Sequence, residues 1–303
     1  MAIAEQCMGV EGEGLQFLWL ELTSRCNLQC THCYSESGPH PETEDLLTVA
    51  DYRGLIESAS SLGCRRVQFI GGEPTIRPEL PELIEYARAQ DFEFVEVYTN
   101  ATHVSDELLA CFVRNRVAVA TSFYADDPAV HDAITKKRGS QVATVRTVKR
   151  MVDAGLTIRA SIIVMDQNHD RVEQTKKFLQ SLGVENIGSD RVRGFGRGES
   201  LTPDTCRSDL SELCGNCWRG SAVVTPQGTV APCIMARNWG IGSVREQSLA
   251  SLVESTVLRG IRERIFEEVW VPMDVAVDVQ CPPHHCNPYI SCSPYGGCRP
   301  STP

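Results

Sequence analysis

The stretch Leu15-Gln-Phe-Leu-Trp-Leu-Glu-Leu22, then Thr-Ser-Arg, then Cys26-Asn-Leu-Gln-Cys30-Thr-His-Cys33-Tyr34 governs the reading of the chain. Residues 15–22 are apolar enough for a buried strand. The turn leaving them carries Cys-x3-Cys-x2-Cys with an aromatic directly behind. Three thiolates in one short loop can hold three irons of a 4Fe-4S cube and leave the fourth iron without a protein ligand. Electron carriers ordinarily ligate every iron by cysteine, so an open iron points to a site that binds something else. A zinc knuckle or a disulfide staple is the alternative. Zinc asks for a fourth Cys or His at knuckle spacing, and His32 lies between two of the cysteines.

Outward from this loop the chain alternates short apolar runs with amphipathic segments. The pattern predicts strands at 66–70, 92–98, 117–123, 156–165 and 184–190. It predicts helices at 49–62, 80–90, 105–115, 141–154 and 170–182, with Ser105 as an N-cap. Strand–helix repetition argues for an α/β fold with a parallel sheet. Six units across 15–200 make a partial (β/α)6 TIM-like barrel, whose chemistry belongs at the carboxyl ends of its strands. An incomplete barrel leaves an open side for a large substrate. Residues 1–14 read as an N-terminal extension. Residues 201–303 read as a small Cys-rich C-terminal domain, with one helical stretch near 249–268, that needs metal to staple its modest core.

Bulk composition narrows the function. A net charge of −10 argues against a nucleic-acid-binding surface. No apolar run is long enough to span a membrane, and the N-terminus lacks a signal-peptide pattern. Fourteen cysteines without an export signal favour metal binding in a reducing cytoplasm.

The second strand ends in Gly71-Gly72-Glu73-Pro74. Two glycines let backbone approach a ligand closely, and Glu73 offers a carboxylate to an ammonium group; an ordinary turn is the alternative. One β/α unit behind the Cys-x3-Cys-x2-Cys loop, this resembles the Gly-Gly-Glu-Pro motif of the radical S-adenosylmethionine (SAM) family. The resemblance covers the first two-thirds of the chain and has definite implications. The open iron chelates the amino and carboxylate groups of SAM. One electron cleaves SAM to methionine and a 5′-deoxyadenosyl radical, which abstracts hydrogen from a substrate. Cys26, Cys30 and Cys33 are then the cluster ligands, and Gly71, Gly72, Glu73 and Pro74 bind the methionine amino group. Thr99 and Asn100 resemble the ribose-contacting strand end. Ser122 resembles a position contacting the SAM carboxylate or ribose, with a buried hydroxyl bonded to backbone as the alternative. Arg159 is a candidate for the SAM carboxylate. In the segment 190–198, Arg191, Arg193 and Arg197 either clamp a carboxylate or pair with acids at the barrel mouth; Arg193 is retained as a cofactor-binding candidate.

Eight cysteines follow the barrel: Cys206, Cys214, Cys217, Cys233, Cys281, Cys286, Cys292 and Cys298. A hairpin over 222–232 with a Pro-Gln-Gly turn would bring Cys217 and Cys233 together. Cys217-x10-Gly228-x4-Cys233 resembles the opening of SPASM and twitch domains, the auxiliary-cluster extensions of radical SAM enzymes. The later spacing, Cys281-x4-Cys286-x5-Cys292-x5-Cys298, departs from that pattern. One or two auxiliary 4Fe-4S clusters are expected, with zinc at His284 and His285 as the alternative for the tail. Cys64 and Cys111 read as core thiols.

The resemblance implies an oxidoreductase supplied with electrons by a flavodoxin or ferredoxin. Its first substrate reading is a ribosomally made peptide that is cross-linked, oxidised or epimerised in natural-product biosynthesis. The N-terminal extension is short, so leader recognition falls to another protein or to the open barrel face. The alternative is an epimerase or dehydrogenase of an aminosugar or aminocyclitol, for which an unligated Cys206 or Cys214 would return hydrogen to the substrate radical. A plain iron–sulfur carrier is disfavoured by the three-cysteine loop and the Gly-Gly-Glu-Pro turn.

Overall fold

Strand β1 (Phe17–Glu21) is buried at every position, as befits a central strand of a sheet covered on both faces. Its side chains alternate: Leu18 and Leu20 enter the core beneath the outer helices, while Phe17 and Trp19 enter a second core on the inner face. The computed structural model describes residues 14–202 and 209–272. The units that follow are α1 (Val49–Ser61), β2 (Arg66–Ile70), α2 (Leu80–Ala89), β3 (Phe94–Tyr98), α3 (Asp106–Arg114) and β4 (Ala118–Phe123). Then come α4 (Pro128–Thr135), α5 (Ser140–Asp153), β5 (Ile158–Val164), α6 (Val172–Ser181) and β6 (Asn186–Arg191). The expected α/β rhythm is present. Helix starts are chemically specified: Thr48 and Asp51 form a capping box at α1, and Ser105 caps α3.

Helix α4 was not foreseen in the sequence. Its signal was there: Asp127 accepts from the Ala129 and Val130 N–H groups at 2.8 and 3.2 Å, and Pro128 occupies the first turn.

The remaining described elements are β7 (Ser221–Val224), β8 (Thr229–Ala231), β9 (Gly242–Ser243), α7 (Leu249–Val253) and α8 (Thr256–Ile265). Among the described residues one nine-stranded sheet runs β6-β5-β4-β3-β2-β1-β7-β8-β9. It is parallel from β6 through β7, and β8 and β9 then add antiparallel. The hairpin expected over 222–232 is therefore present, and β7 lies parallel to β1 with Phe17 opposite Ser221. The sheet is open, with β6 at one edge and β9 at the other. Among the described residues no helix is long and apolar enough to cross a membrane.

Candidate functional site

The loop carrying the first three cysteines leaves the carboxyl end of β1 and is fixed from several sides. Asp45 accepts from the Thr23 hydroxyl at 2.6 Å and the Ser24 N–H at 2.7 Å. The Gln29 and Thr31 amides donate to the Thr135 and Ile134 carbonyls at the end of α4. Arg197, behind β6, donates to the Cys30 and Ser37 carbonyls at 2.8 Å each, and its own N–H donates to the Cys33 carbonyl. Gly196 is required beside it: φ is +53°, and a Cβ there would lie 2.5 Å from the Tyr34 carbonyl oxygen. The Arg/Gly-rich segment thus wraps the cysteine loop.

Each of the three sulfurs has a hydrogen-bonding neighbour. The Leu28 N–H is 3.4 Å from the Cys26 sulfur and Asn100 Nδ2 is 3.7 Å from it. The Tyr124 hydroxyl is 3.7 Å from the Cys30 sulfur, and the Ser35 hydroxyl 3.4 Å from that of Cys33. Burial, with Cys33 nearby, pushes the Cys30 thiol up to about 12, and burial with Glu73 nearby raises that of Cys26. Such thiols ionise only when a metal supplies the counter-charge. Among the described residues no three His, Cys, Asp or Glu side chains meet closely enough to hold a single ion. A cube spreads its cysteine ligands over separate irons, so it asks for several thiols in one short loop with a donor beside each sulfur. The loop fits that group.

Gly71 and Gly72 press against the start of the same loop. The Gly72 N–H donates to the Thr23 carbonyl at 2.7 Å and the Glu73 N–H to the Arg25 carbonyl at 2.9 Å. Glu73 is turned inward. Its carboxylate accepts from the Thr75 amide and hydroxyl, the Thr99 hydroxyl at 2.6 Å and the Asn100 N–H at 2.7 Å. Burial raises its pKa, and those hydrogen bonds pull against the rise. The free carboxylate expected for an ammonium group is instead a clamp joining the ends of β2 and β3, and Pro74 starts a short 3-10 turn behind it. Thr99 and Asn100 are held by that clamp. The Asn100 side chain also donates to Asn27 at 2.7 Å and accepts from Thr102. The structure therefore brings Cys26, Gly72, Glu73, Thr99 and Asn100 into one constellation at the carboxyl ends of β1, β2 and β3.

Other expected positions lie elsewhere. The Ser122 hydroxyl meets that of Tyr98 at 3.0 Å, so its partner is a side chain rather than backbone. Arg159 sits in the amino-terminal half of β5, opposite Ala120, away from the carboxyl ends. Its guanidinium makes two 2.8 Å contacts with Glu96, which is 3% exposed. That position withdraws Arg159 from the SAM carboxylate: it neutralises a buried acid in the barrel floor. Arg159→Met leaves the buried Glu96 carboxylate with the Gln68 amide but without a counter-charge, and is expected to destabilise the protein by about 3 kcal/mol. A urea midpoint that drops, with SAM affinity of the folded protein unchanged, is the expected pair of readings; lost SAM affinity at unchanged stability would restore the binding role. Arg193 is similarly engaged, by Asp190 and by the Glu212 carbonyl at 2.8 Å. Arg191 makes two contacts, 2.6 and 2.7 Å, with the Glu212 carboxylate. These arginines pair with acids.

A second set of thiols gathers where the hairpin meets β1. Cys214, Cys217 and Cys233 line a cavity of about 20 Å³ with Trp19, Arg193 and Glu212. The Cys217 thiol is raised well above the usual range by contacts with the Cys214 and Cys233 thiols and by burial. Cys214 was expected as a hydrogen donor if unligated; its place beside two ligand candidates makes it a third. Cys206, Cys281, Cys286, Cys292 and Cys298 lie outside the described residues.

Sequence reading missed one further group. Glu21, fully buried at the end of β1, pairs with Arg237 and lies 3.5 Å from the Tyr34 hydroxyl; the Arg237 guanidinium lies 5.5 Å from the Tyr34 ring centre. Nothing local links residue 21 to 237. A polar cavity of about 200 Å³ opens beside them, lined by Tyr34, Glu36, Glu199 and Asn238 among others.

Comparison with known proteins agrees with this geometry. The family model of the radical SAM superfamily matches residues 20–179, and that of the SPASM iron-sulfur cluster-binding domain matches residues 210–286. The antilisterial bacteriocin subtilosin biosynthesis protein AlbA of Bacillus subtilis (strain 168) is 26% identical over 78% of this chain and 59% of its own length. The Fe-coproporphyrin III synthase of Methanosarcina barkeri (strain Fusaro / DSM 804) is 40% identical over 59% of this chain and 45% of its own. The chain thus spans about half the length of these curated relatives. Among solved structures, Streptococcus suis SuiB bound to S-adenosylmethionine superposes with a TM-score of 0.69 at 14% identity, covering 86% of this chain and 70% of that one.

Proposed function

The chain belongs to the radical SAM superfamily and carries a SPASM iron-sulfur cluster-binding domain, and on that premise we propose that it modifies a ribosomally synthesised peptide in natural-product biosynthesis. A 4Fe-4S cluster, SAM and auxiliary iron–sulfur binding come with these two domains. When bound, the cluster would supply the single electron for reductive cleavage of SAM and so start radical hydrogen abstraction from the substrate. Cys26, Cys30 and Cys33 would hold that cluster. Gly71 and Gly72 would let the backbone approach SAM, and the Glu73 clamp keeps the ends of β2 and β3 together. Cys214, Cys217 and Cys233 would supply thiolates to an auxiliary cluster, and the cysteines beyond residue 272 are proposed to complete its ligand set. Cys206 remains the candidate hydrogen donor. A flavodoxin or ferredoxin is the proposed electron source.

The observation that carries the reading is that β7 adds directly to β1, which seats the second thiol set on the barrel's inner core, next to Trp19. An auxiliary cluster held by that set is proposed to take up the electron of the substrate radical. The similarity to AlbA, a bacteriocin biosynthesis protein, supports a peptide as substrate. The identity to an Fe-coproporphyrin III synthase favours a second reading, a tetrapyrrole-type small molecule; neither observation points to an aminosugar.

The test is anaerobic reconstitution with iron, sulfide, SAM and a strong reductant, with two substrate candidates in parallel: any short peptide that sequencing of the flanking DNA finds encoded beside the gene, and Fe-coproporphyrin III. The expected result is a peptide mass change that requires SAM. A changed porphyrin with an untouched peptide would transfer the assignment to the second reading.

A further inference from the structure

We infer that Tyr124 is a positioning residue that sets the reduction potential of the cluster, by donating its hydroxyl hydrogen to the Cys30 sulfur. The inference rests on the proposed ligation by Cys26, Cys30 and Cys33. Tyr124 comes from outside the cysteine loop, directly after β4, and its hydroxyl oxygen is 3.7 Å from the Cys30 sulfur, within reach for the larger sulfur atom. The ring has little room to turn away. It stands edge-on to His32 and to His131, each with centroids 5.1 Å apart. Its backbone is pinned as well: buried Asn168 donates to the Tyr124 and Ile163 carbonyls at 2.8 Å each and accepts from the Met165 N–H at 2.7 Å. One side chain thus joins the ends of β4 and β5 and presents the phenol to the loop.

The surroundings give this contact weight. Tyr124 is 6% exposed and packs with Ile134, Ile163, Met165 and Val192, with Cys30 against that group. In such a medium a hydrogen bond to a charged sulfur is stronger than in water. A reduced cluster carries one more negative charge than an oxidised one. A donor to a ligand sulfur therefore stabilises the reduced form more, and removing it lowers the potential. The Ser35 hydroxyl beside Cys33 differs, because that side chain is only partly buried.

Tyr124→Phe keeps the ring and its packing and deletes the hydroxyl. Redox titration followed by electron paramagnetic resonance should show the SAM-sensitive signal of the reconstituted variant shifted about tenfold toward the oxidised cluster, about 59 mV lower for a one-electron couple. Iron content and melting temperature should match the wild type. Site-specific 3-fluorotyrosine, a stronger donor, should move the midpoint the other way, and it decides the matter if the Phe variant fails to assemble a cluster. An unchanged midpoint at full iron content, or a 3-fluorotyrosine protein at the wild-type potential, overturns the inference while leaving the ligation standing. Absence of any SAM-sensitive signal in the wild type overturns both.

Discussion

Cys30→Ala is expected to abolish formation of 5′-deoxyadenosine from SAM, a loss of at least roughly a thousandfold. Loss of an outer-shell partner of a metal ligand already costs about 10–100-fold, and Cys30 is proposed as a ligand itself. The loop's own scaffold does not depend on this sulfur: Arg197 holds the Cys30 carbonyl at 2.8 Å, and the Cys33 N–H donates to the same oxygen at 3.3 Å. The variant should therefore fold, keep the iron held by the C-terminal cysteines, and lose only the SAM-sensitive paramagnetic signal. Product chromatography with mass detection, under a strong reductant, reads the outcome. A variant that still cleaves SAM at the wild-type rate would remove the catalytic assignment of this loop.

Gly72→Ala is expected to disable the same site by a different route. A Cβ at residue 72 would lie 2.1 Å from the Arg25 carbonyl oxygen and 2.6 Å from its carbon. Neither is the end of a flexible side chain, so backbone must move. The struck oxygen also accepts the Glu73 N–H at 2.9 Å, and the neighbouring Gly72 N–H bonds to Thr23 at 2.7 Å. Relieving the overlap breaks or stretches both bonds and displaces residues immediately before Cys26. Overpacking and strained buried hydrogen bonds together put the cost at about 3 kcal/mol, with SAM affinity and cluster assembly falling together. Gly54→Ala is the control: it lies on the exposed face of α1 with no other atom within 4 Å of the added Cβ, and should gain about 0.5–1 kcal/mol from helix propensity. Denaturant midpoints and equilibrium dialysis with labelled SAM measure both. A Gly72→Ala protein with wild-type midpoint and affinity would show that the two turns are not pressed together.

The polar residues singled out in the sequence divide by the reach of the chemistry that identifies them. The cysteine loop and the two glycines are legible because their meaning lies in spacing and in backbone freedom, both local properties. Glu73, Arg159, Arg191 and Arg193 were legible only as charges. What each one does depends on the nearest opposite charge or buried donor, which is remote in sequence for Glu73 on the Thr99 hydroxyl and Asn100 amide, for Arg159 on Glu96 and for Arg191 on Glu212, whereas Arg193 pairs with nearby Asp190. Helix α4 belongs to the first kind, since Asp127-Pro128 is a readable start, and its omission was a missed signal rather than an unreadable one.

By itself, then, the sequence determined the β/α rhythm, the three-thiol loop at the end of the first strand, the glycine turn after the second and the hairpin between Cys217 and Cys233. Each is encoded by residues within one or two turns of chain, where periodicity and steric freedom act directly. Tertiary structure alone decided that the hairpin joins β1, that Cys214 shares a cavity with Cys217 and Cys233, that Arg237 meets Glu21 and Tyr34, and that Tyr124 reaches Cys30 across 94 positions. Those pairings follow from burial: a polar or ionisable group removed from water takes whichever partner the packed strands bring to it, and sequence separation does not enter that choice.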